Sequence, residues 1–196
     1  MRRGLLAAAA LALIVATGCS PDAGGGQTPA DIDVAVDTPQ LREMKAAAGI
    51  ETCEPGPGGG ELPDLTLPCL GGGPDVALDD LKGPLLINIW ATSCGPCRQE
   101  MPLLQQFHEQ NAGEIGVLGI DIDTAPDSAI SFADAVGATY PHVADPGGFI
   151  WEQPSLGIRP GLPQTLLVDA NGKVVAMKAG EFTSLGELDA FAEGVL

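Results

Sequence analysis

The apolar positions of the chain change their period several times, and each period predicts a different element. An unbroken apolar run with one polar residue, LLINIW at residues 85–90, predicts a strand that is covered on both faces. A similar run, IGVLGIDID, follows at residues 115–123. Between the two runs Met101, Leu104 and His108 recur at helical spacing, so this part of the chain predicts strand, helix, strand.

The C-terminal half continues with shorter elements. Residues 127–136 have helical spacing, a short strand is expected at residues 142–144, and Ala-Asn-Gly joins two apolar runs as a hairpin. A capping-box pattern then opens a final helix at residues 185–195. This order predicts an α/β domain with a mixed central sheet and helices on both of its faces.

The start of the chain divides into three parts before the domain. Residues 1–18 have the pattern of a lipoprotein-type signal peptide, and residues 19–39, rich in glycine, proline and aspartate, are predicted to be a flexible tether. Residues 40–60 are predicted to form a short helix and a loop; residues 40–49 have good helix formers and a terminal glycine, and the helix is expected to end near Cys53. The domain itself is then expected over residues 61–196.

The signal sequence ends in small residues directly before a cysteine. Arg2 and Arg3 precede an apolar run that is too short to span a bilayer. The following Ala-Thr-Gly-Cys resembles the lipobox of bacterial lipoproteins, in which Cys19 would become the lipidated N-terminus. Ala16 stands where such boxes more often have leucine, so an uncut anchor and plain secretion stay as alternatives. Each alternative places the domain outside the cytoplasm, where disulfides persist.

Composition limits the partners and the size of the protein. The 196 residues carry a formal net charge of −17, so the folded part would repel a phosphate backbone or an anionic lipid surface. We therefore expect no nucleic-acid partner. The length that is left after a signal and a tether suits one domain with one core.

Cys94 and Cys97 lie between an apolar strand and a helical pattern, and this position has a chemical meaning. The N-terminus of a helix stabilises negative charge, so the first sulfur is favoured as a thiolate, while the second is placed to close a bridge. A zinc site needs about four ligands, and Cys53 and Cys69 form no second short-spaced pair. We therefore expect no metal and no cofactor, and we favour a redox couple over a metal site or an inert bridge.

Around these cysteines the sequence resembles a known family. The stretch WATSCGPCRQEMP at residues 90–102 is similar to the active site of thioredoxin-fold proteins, in the form of membrane-tethered TlpA- and ResA-like disulfide reductases. GLPQT at residues 161–165, followed by LLVDANGKVV, resembles the cis-proline loop and hairpin of that family. Residues 65–90 resemble its N-terminal hairpin and first central strand. The resemblance implies a thioredoxin fold over residues 61–196.

The resemblance also implies a role for each matching residue. Cys94 would be the exposed nucleophile and Cys97 the resolving thiol. Pro163 would be the cis-proline, favoured by its spacing over Pro160, and Leu162 would offer its peptide groups to an extended substrate segment. The residues expected to support the active site are Trp90, Gly95, Pro96 and Asn88.

The sequence departs from the family at three positions. Ser93 replaces the tryptophan that thioredoxins have before the first cysteine, and Asn88 replaces their buried aspartate, so it cannot act as a titrating base for Cys97. Gly95 stands where ResA-like proteins have glutamate. The proton acceptor is therefore unassigned, and the candidates are expected to be solvated surface charges: Glu100, Asp121 and Asp123.

Cys53 and Cys69 remain as a pair once Cys19 and the active-site cysteines are assigned. In an oxidising compartment a structural disulfide is the simplest use of such a pair. A second redox pair is the alternative, although neither cysteine lies at the start of a predicted helix.

The family resemblance implies a protein-disulfide reductase on the extracytoplasmic face of the cell membrane, held there by a lipid anchor. Its partners would be thiols and disulfides of exported proteins, including apocytochrome c during cytochrome c maturation. A membrane thiol carrier of the DsbD/CcdA kind would supply the electrons. The alternatives are an oxidase that forms disulfides in exported proteins, a thiol peroxidase, and a lipoprotein that uses the fold only to bind a partner.

Overall fold

The structure is a computed structural model and describes Met1 and residues 33–193. The predicted signal peptide (residues 1–18), the predicted lipidation site Cys19 and most of the tether predicted over residues 19–39 lie outside the described residues. In the part of the chain that is described, no helix has the length and apolar character needed to cross a membrane.

Within residues 33–193, the regular structure consists of four α-helices and seven strands. The helices are α1 (Pro39–Ala48), α2 (Gly95–Gln110), α3 (Pro126–Val136) and α4 (Leu185–Ala192). The strands are β1 (Thr66–Leu67), β2 (Val76–Ala77), β3 (Leu85–Trp90), β4 (Gly116–Asp121), β5 (His142–Ala144), β6 (Gln164–Val168) and β7 (Val174–Ala179). Short 3-10 helices lie at Leu78–Asp80, Phe149–Glu152 and Pro154–Leu156.

The central sheet is mixed, as the order of elements predicts. Its five strands run in the order β5-β4-β3-β6-β7. β3 pairs in parallel with β4 and antiparallel with β6, and β1 and β2 form a separate hairpin. The predicted strands at residues 85–90 and 142–144 are observed with those bounds, and the predicted hairpin is confirmed as β6 and β7.

The sheet separates two layers of buried side chains because successive residues of a strand point to opposite faces. Leu86 and Trp90 of β3 pack in one cluster with buried residues of all four α-helices. Ile87 and Ile89 pack in the other cluster, with the β1–β2 hairpin and the 3-10 helices. β3 is buried along its whole length, which explains why its sequence has no polar alternation.

The described end of the predicted tether is packed against the domain. Residues 33–38 have no regular secondary structure, yet Val36 is buried and its carbonyl oxygen accepts a hydrogen bond from the Gly71 N–H at 3.0 Å. The prediction of a free tether up to residue 39 is therefore wrong for this last part, because an apolar side chain anchors it.

Helix α1 is shorter than the sequence predicts. Thr38 caps its first turn by accepting a hydrogen bond from the Leu41 N–H at 3.2 Å. Gly49 ends it in the left-handed conformation with φ of +69°, so the helix does not reach Cys53.

The predicted disulfide between Cys53 and Cys69 is present, with both sulfurs buried. It joins the segment after α1 to the segment after β1 and closes a loop of about 17 residues, for which the chain-entropy model gives about 3 kcal/mol. The double variant Cys53→Ala/Cys69→Ala should therefore lose about 3 kcal/mol of unfolding free energy in denaturant titrations. A loss below about 0.5 kcal/mol would show that this bridge does not stabilise the fold.

Candidate active site

The CGPC stretch lies in the turn between β3 and α2. Cys94 is the N-cap of α2, and its Sγ accepts a hydrogen bond from the Cys97 N–H at 3.1 Å. Cys94 and Cys97 form a disulfide; Cys94 is half-buried, whereas Cys97 is fully buried. Gly95 and Pro96, which complete the first turn of the helix, are exposed. An incoming thiolate could therefore reach Cys94 and not Cys97.

This geometry determines which sulfur carries charge after reduction. The free N–H groups and the dipole at the start of α2 stabilise an anion at Cys94. Fully buried Cys97 loses solvation when it ionises, so its proton needs a nearby acceptor. The arrangement thus fits attack at Cys94 and resolution by Cys97, and these two roles stay predictions.

Glu100 lies on the buried face of α2, one turn after Cys97. Its side chain is fully buried, so the expectation that it is a solvated surface charge is wrong. Glu100 Oε1 accepts a hydrogen bond from Asn88 Nδ2 at 2.5 Å, and Oε2 accepts one from the Phe182 N–H at 2.8 Å. Asn88 also donates to Thr165 Oγ1 at 3.1 Å, so the amide links β3, α2 and β6.

Burial raises the pKa of Glu100 to about 7, although the hydrogen bonds from Phe182 and Asn88 favour its carboxylate form. A carboxyl group with this pKa can take or release a proton near neutral pH. Because it lies three residues after Cys97 on the same helix face, it is the strongest candidate for the proton acceptor that the sequence leaves unassigned.

Two aspartates lie beneath the other side of the active-site turn. Asp123 Oδ2 accepts a hydrogen bond from the Thr92 N–H at 2.6 Å and therefore fixes the turn. The Asp123 N–H in turn donates to Asp121 Oδ1 at 3.1 Å. Asp121 is fully buried, which raises its pKa well above the usual value, so it too is not the expected surface charge. Asp123 is partly buried.

Trp90 supports the turn from below. It is fully buried and stacks on Phe132 of α3 with ring centroids 5.4 Å apart. The Arg98 guanidinium lies over the Phe132 ring, 4.5 Å from its centroid. Ser93 is exposed, so this position offers a substrate no aromatic surface.

The loop before β6 lies at the same edge of the sheet as the cysteines. Ile89 of β3 pairs with Gln164 of β6, so the chain that leaves β3 towards Cys94 passes the chain that enters β6 from Pro163. The Leu162–Pro163 peptide bond is cis, as the family resemblance implies. The structure therefore brings together the CGPC turn and the GLP loop.

A cleft of about 510 Å³ opens beside this loop. One wall is the loop around Leu162 and Pro163, and the other is Met177 and Ala179 of β7, the last strand of the sheet. Gln164 is buried and donates to the carbonyl oxygens of Arg159 and Gly161, which holds the loop in place. The exposed Arg159 is the one cation among the residues that line this cleft.

The sequence identified Glu100 as a candidate acceptor, but its burial was not predicted. The signal was present, because Cys97, Glu100, Met101 and Leu104 share one helix face by their spacing. A charged residue on an otherwise apolar face indicates a buried polar contact. Its partner Phe182, 82 residues away, could not be found from local pattern.

Comparisons with known proteins agree with this geometry. The family model for the AhpC/TSA family matches residues 59–177. The thioredoxin-like protein YneN of Bacillus subtilis is 31% identical over 129 residues, which are 64% of this chain and 73% of YneN. The thiol-disulfide oxidoreductase ResA of Bacillus anthracis is 32% identical over 127 residues, which are 64% of this chain and 71% of ResA.

A solved structure shows the same fold. The crystal structure described as the thiol:disulfide interchange protein DsbE of Chlorobium tepidum superposes with a TM-score of 0.57 and 31% identity. The match covers 69% of this chain and 93% of that one. Together with the redox-active cysteine pair at the start of α2, these findings show that the chain belongs to the AhpC/TSA family and, within it, to the thioredoxin-fold thiol-disulfide oxidoreductases of the ResA and DsbE type.

Proposed function

We propose that this oxidoreductase reduces disulfides in exported proteins through the Cys94/Cys97 couple. The observation that carries the proposal is the half-buried Cys94 at the N-cap of α2, joined by a disulfide to the fully buried Cys97. In the reduced protein the Cys94 thiolate attacks a substrate disulfide and forms a mixed disulfide. Cys97 then attacks Cys94 Sγ, which releases the reduced substrate and closes the bridge.

The proton balance of this cycle supports Glu100 as the acceptor. Cys97 must lose its proton before it can attack, and the buried thiol cannot pass that proton directly to water. Glu100, with a pKa near 7, takes it in the resolving step and returns it when the couple is reduced again.

The substrate would lie in the cleft beside Leu162 and Pro163. Its walls are mainly apolar, with Met177 45% exposed, and Arg159 adds a positive charge. An extended segment that carries an apolar side chain and an acidic residue near its cysteine therefore fits the cleft.

Two disulfide peptides that differ only by aspartate or lysine beside the cysteine test this binding mode. Wild type should prefer the aspartate peptide, and the variant Arg159→Glu should prefer the lysine peptide. Because Arg159 is exposed, we expect a change of about threefold in relative kcat/KM for each peptide. Lys173→Glu is the matched control, since it changes the same charge in the turn between β6 and β7, outside the cleft. Equal effects of the two variants would argue against substrate binding in the cleft.

The location and the electron donor are part of the same proposal. The signal pattern and Cys19 support a lipid anchor on the extracytoplasmic face of the cell membrane, and a membrane thiol carrier of the DsbD/CcdA kind would reduce the couple there. Apocytochrome c is the substrate that the ResA resemblance suggests. A diacylglycerol mass on Cys19 in the mature protein would support the anchor, and an unmodified or uncut N-terminus would reject it.

The experiment that tests the direction is the equilibrium reduction potential of the Cys94/Cys97 couple. A value near about −270 mV, as in thioredoxin, would support a reductase that receives electrons from a membrane carrier. A value near about −120 mV, as in DsbA, would reverse the assignment to an oxidase of exported proteins.

A further inference from the structure

The ammonium group of Lys45 lies buried beside the second disulfide. Lys45 is 6% exposed, and its Nζ donates to Cys69 Sγ at 3.0 Å and to the Gly72 carbonyl oxygen at 2.8 Å. Within the described residues no carboxylate oxygen lies within 4.0 Å of this nitrogen. The Asp37 carboxylate, on the segment before α1, is paired with Arg42 instead.

A buried cation without a counterion is costly. A disulfide sulfur is neutral and a weak acceptor, and a single carbonyl oxygen compensates the charge only in part. Burial accordingly lowers the pKa of Lys45, and the charge of Asp37 opposes that effect. In the oxidised state this lysine therefore lacks the anion that would stabilise it.

The two sulfurs of this disulfide have opposite surroundings. Cys69 Sγ faces two donors, Lys45 Nζ and the Cys53 N–H, the latter at 3.3 Å. Cys53 Sγ lies 3.2 Å from the carbonyl oxygen of His142, which can only accept. Two donors fit a thiolate at Cys69, and an acceptor fits the S–H of a thiol at Cys53.

We propose that Cys53 and Cys69 are a second redox couple, whose reduced form is a Cys53 thiol beside a Cys69 thiolate paired with the Lys45 ammonium. The reductant is an external dithiol. Its thiolate attacks Cys53 Sγ, the Cys53–Cys69 bond breaks, and Cys69 leaves as the thiolate. The second thiol of the reductant, after losing its proton, resolves the mixed disulfide. Two electrons reach the protein, Cys53 Sγ gains one proton, one proton goes to solvent, and the reductant becomes a disulfide.

Three consecutive glycines lie beside Lys45 and Cys69. Gly71, Gly72 and Gly73 all have positive φ and line a cleft of about 380 Å³ next to Lys45. A Cβ at residue 73 would lie 3.2 Å from Cys69 Sγ, so a side chain there would crowd the sulfur. Residue 73 is an exposed glycine, so no side chain shields Cys69 Sγ on this side. Both sulfurs are buried, so a dithiol reaches Cys53 Sγ only when the segment around them opens.

The second couple is separate from the CGPC site. Cys53 and Cys69 belong to the core cluster on one face of the sheet, whereas Cys97 belongs to the cluster on the other face. The inference therefore does not depend on the direction or the substrate proposed for Cys94 and Cys97, and the two pairs can be followed separately by peptide mass after alkylation.

The first test is the exchange equilibrium of the full chain with dithiothreitol. Lys45→Met keeps the length of the side chain and removes its charge, so the equilibrium constant for reduction of Cys53/Cys69 should fall about tenfold, which is about 30 mV. Lys173→Met is the matched control, since it makes the same substitution at an exposed lysine in the turn between β6 and β7, outside the cleft beside Lys45. It should leave the constant within about twofold. Equal changes in the two variants, or none in Lys45→Met, would overturn the proposal.

The second test needs no substitution and stands if Lys45→Met fails to fold. If both cysteines are thiols after reduction, the exchange constant with dithiothreitol is independent of pH, because the reduced protein and reduced dithiothreitol each carry two thiol protons. If Cys69 is a thiolate, the constant rises towards tenfold per pH unit between about pH 6.5 and about pH 7.5, below the usual thiol pKa. A flat profile would overturn the proposal, as would a pair that excess dithiothreitol cannot reduce in the folded protein.

The other groups around Cys69 do not titrate in this range. Burial lowers the pKa of His142 to about 3, so its ring stays neutral. The Arg42 guanidinium lowers the pKa of Asp37 below its usual value, so that carboxylate stays charged. A pH-dependent exchange constant would therefore report the thiol of Cys69.

Discussion

Replacing Cys94 by serine is expected to abolish disulfide exchange, with turnover lowered by about a thousandfold or more. Cys94 is the sulfur of the CGPC pair that solvent can reach, and a serine hydroxyl at the same N-cap is neither ionised nor able to form a disulfide. The measurement is reduction of a disulfide substrate, such as insulin, with dithiothreitol as the electron source and its own rate subtracted.

Cys97→Ser should fail at a different step. Cys94 can still attack, but no thiol resolves the product, so a mixed disulfide between Cys94 and the substrate should accumulate and be visible by mass. Ser93→Ala is the matched control, because Ser93 is exposed and next to Cys94, and it should keep about half of the activity or more. If Cys94→Ser kept more than about a tenth of the turnover, Cys94 would not be the nucleophile.

How much of the fold could be predicted depends on where each signal lies in the sequence. The strand at residues 85–90 was predictable because burial on both faces produces a continuous apolar run. The helical pattern with its terminal glycine, Gly49, was predictable from local signals, and Gly49 is the residue that ends α1. The expected end near Cys53 was four residues too far.

The site was predictable where its chemistry is contiguous. CGPC at a strand-to-helix junction and the GLP loop are short patterns, so the sequence identifies both. The contacts that tune the site join distant parts of the chain, for example Glu100 to Phe182 and Lys45 to Cys69. No local periodicity contains such pairs, because tertiary packing alone decides which side chains meet.

Glu100 gives the folded protein a pH dependence that Glu100→Gln should remove. Its pKa is about 7 in the folded state, where burial disfavours the carboxylate, and about 4.5 in the unfolded chain. Between these two pH values Glu100 is protonated in the folded state and ionised in the unfolded chain. Its contribution to the unfolding free energy is therefore fully present below about pH 4.5 and is lost as the pH rises through about 7. The shift corresponds to about 3 kcal/mol of unfolding free energy.

The comparison that isolates this effect is the difference between variant and wild type at two pH values. Glutamine cannot accept hydrogen bonds from both Asn88 and Phe182 as the carboxylate does, and this costs a constant amount at every pH. The unfolding free energy of Glu100→Gln minus that of wild type, measured in denaturant titrations, should therefore be about 3 kcal/mol higher at about pH 8 than at about pH 4.5. Glu109→Gln, on the exposed face of the same helix, should gain nothing.

The same variant separates a structural carboxyl group from one that exchanges protons with Cys97. If Glu100 accepts the Cys97 proton, the rate of the resolving step in wild type should change with an inflection near pH 7, and Glu100→Gln should be slower and lack that inflection. If Glu100 has only a structural role, Glu100→Gln would change the pH dependence of the unfolding free energy but leave any inflection in the rate of the resolving step unchanged. Since Cys97 is fully buried and Glu100 lies one turn away on the same face of α2, we expect both profiles to change together.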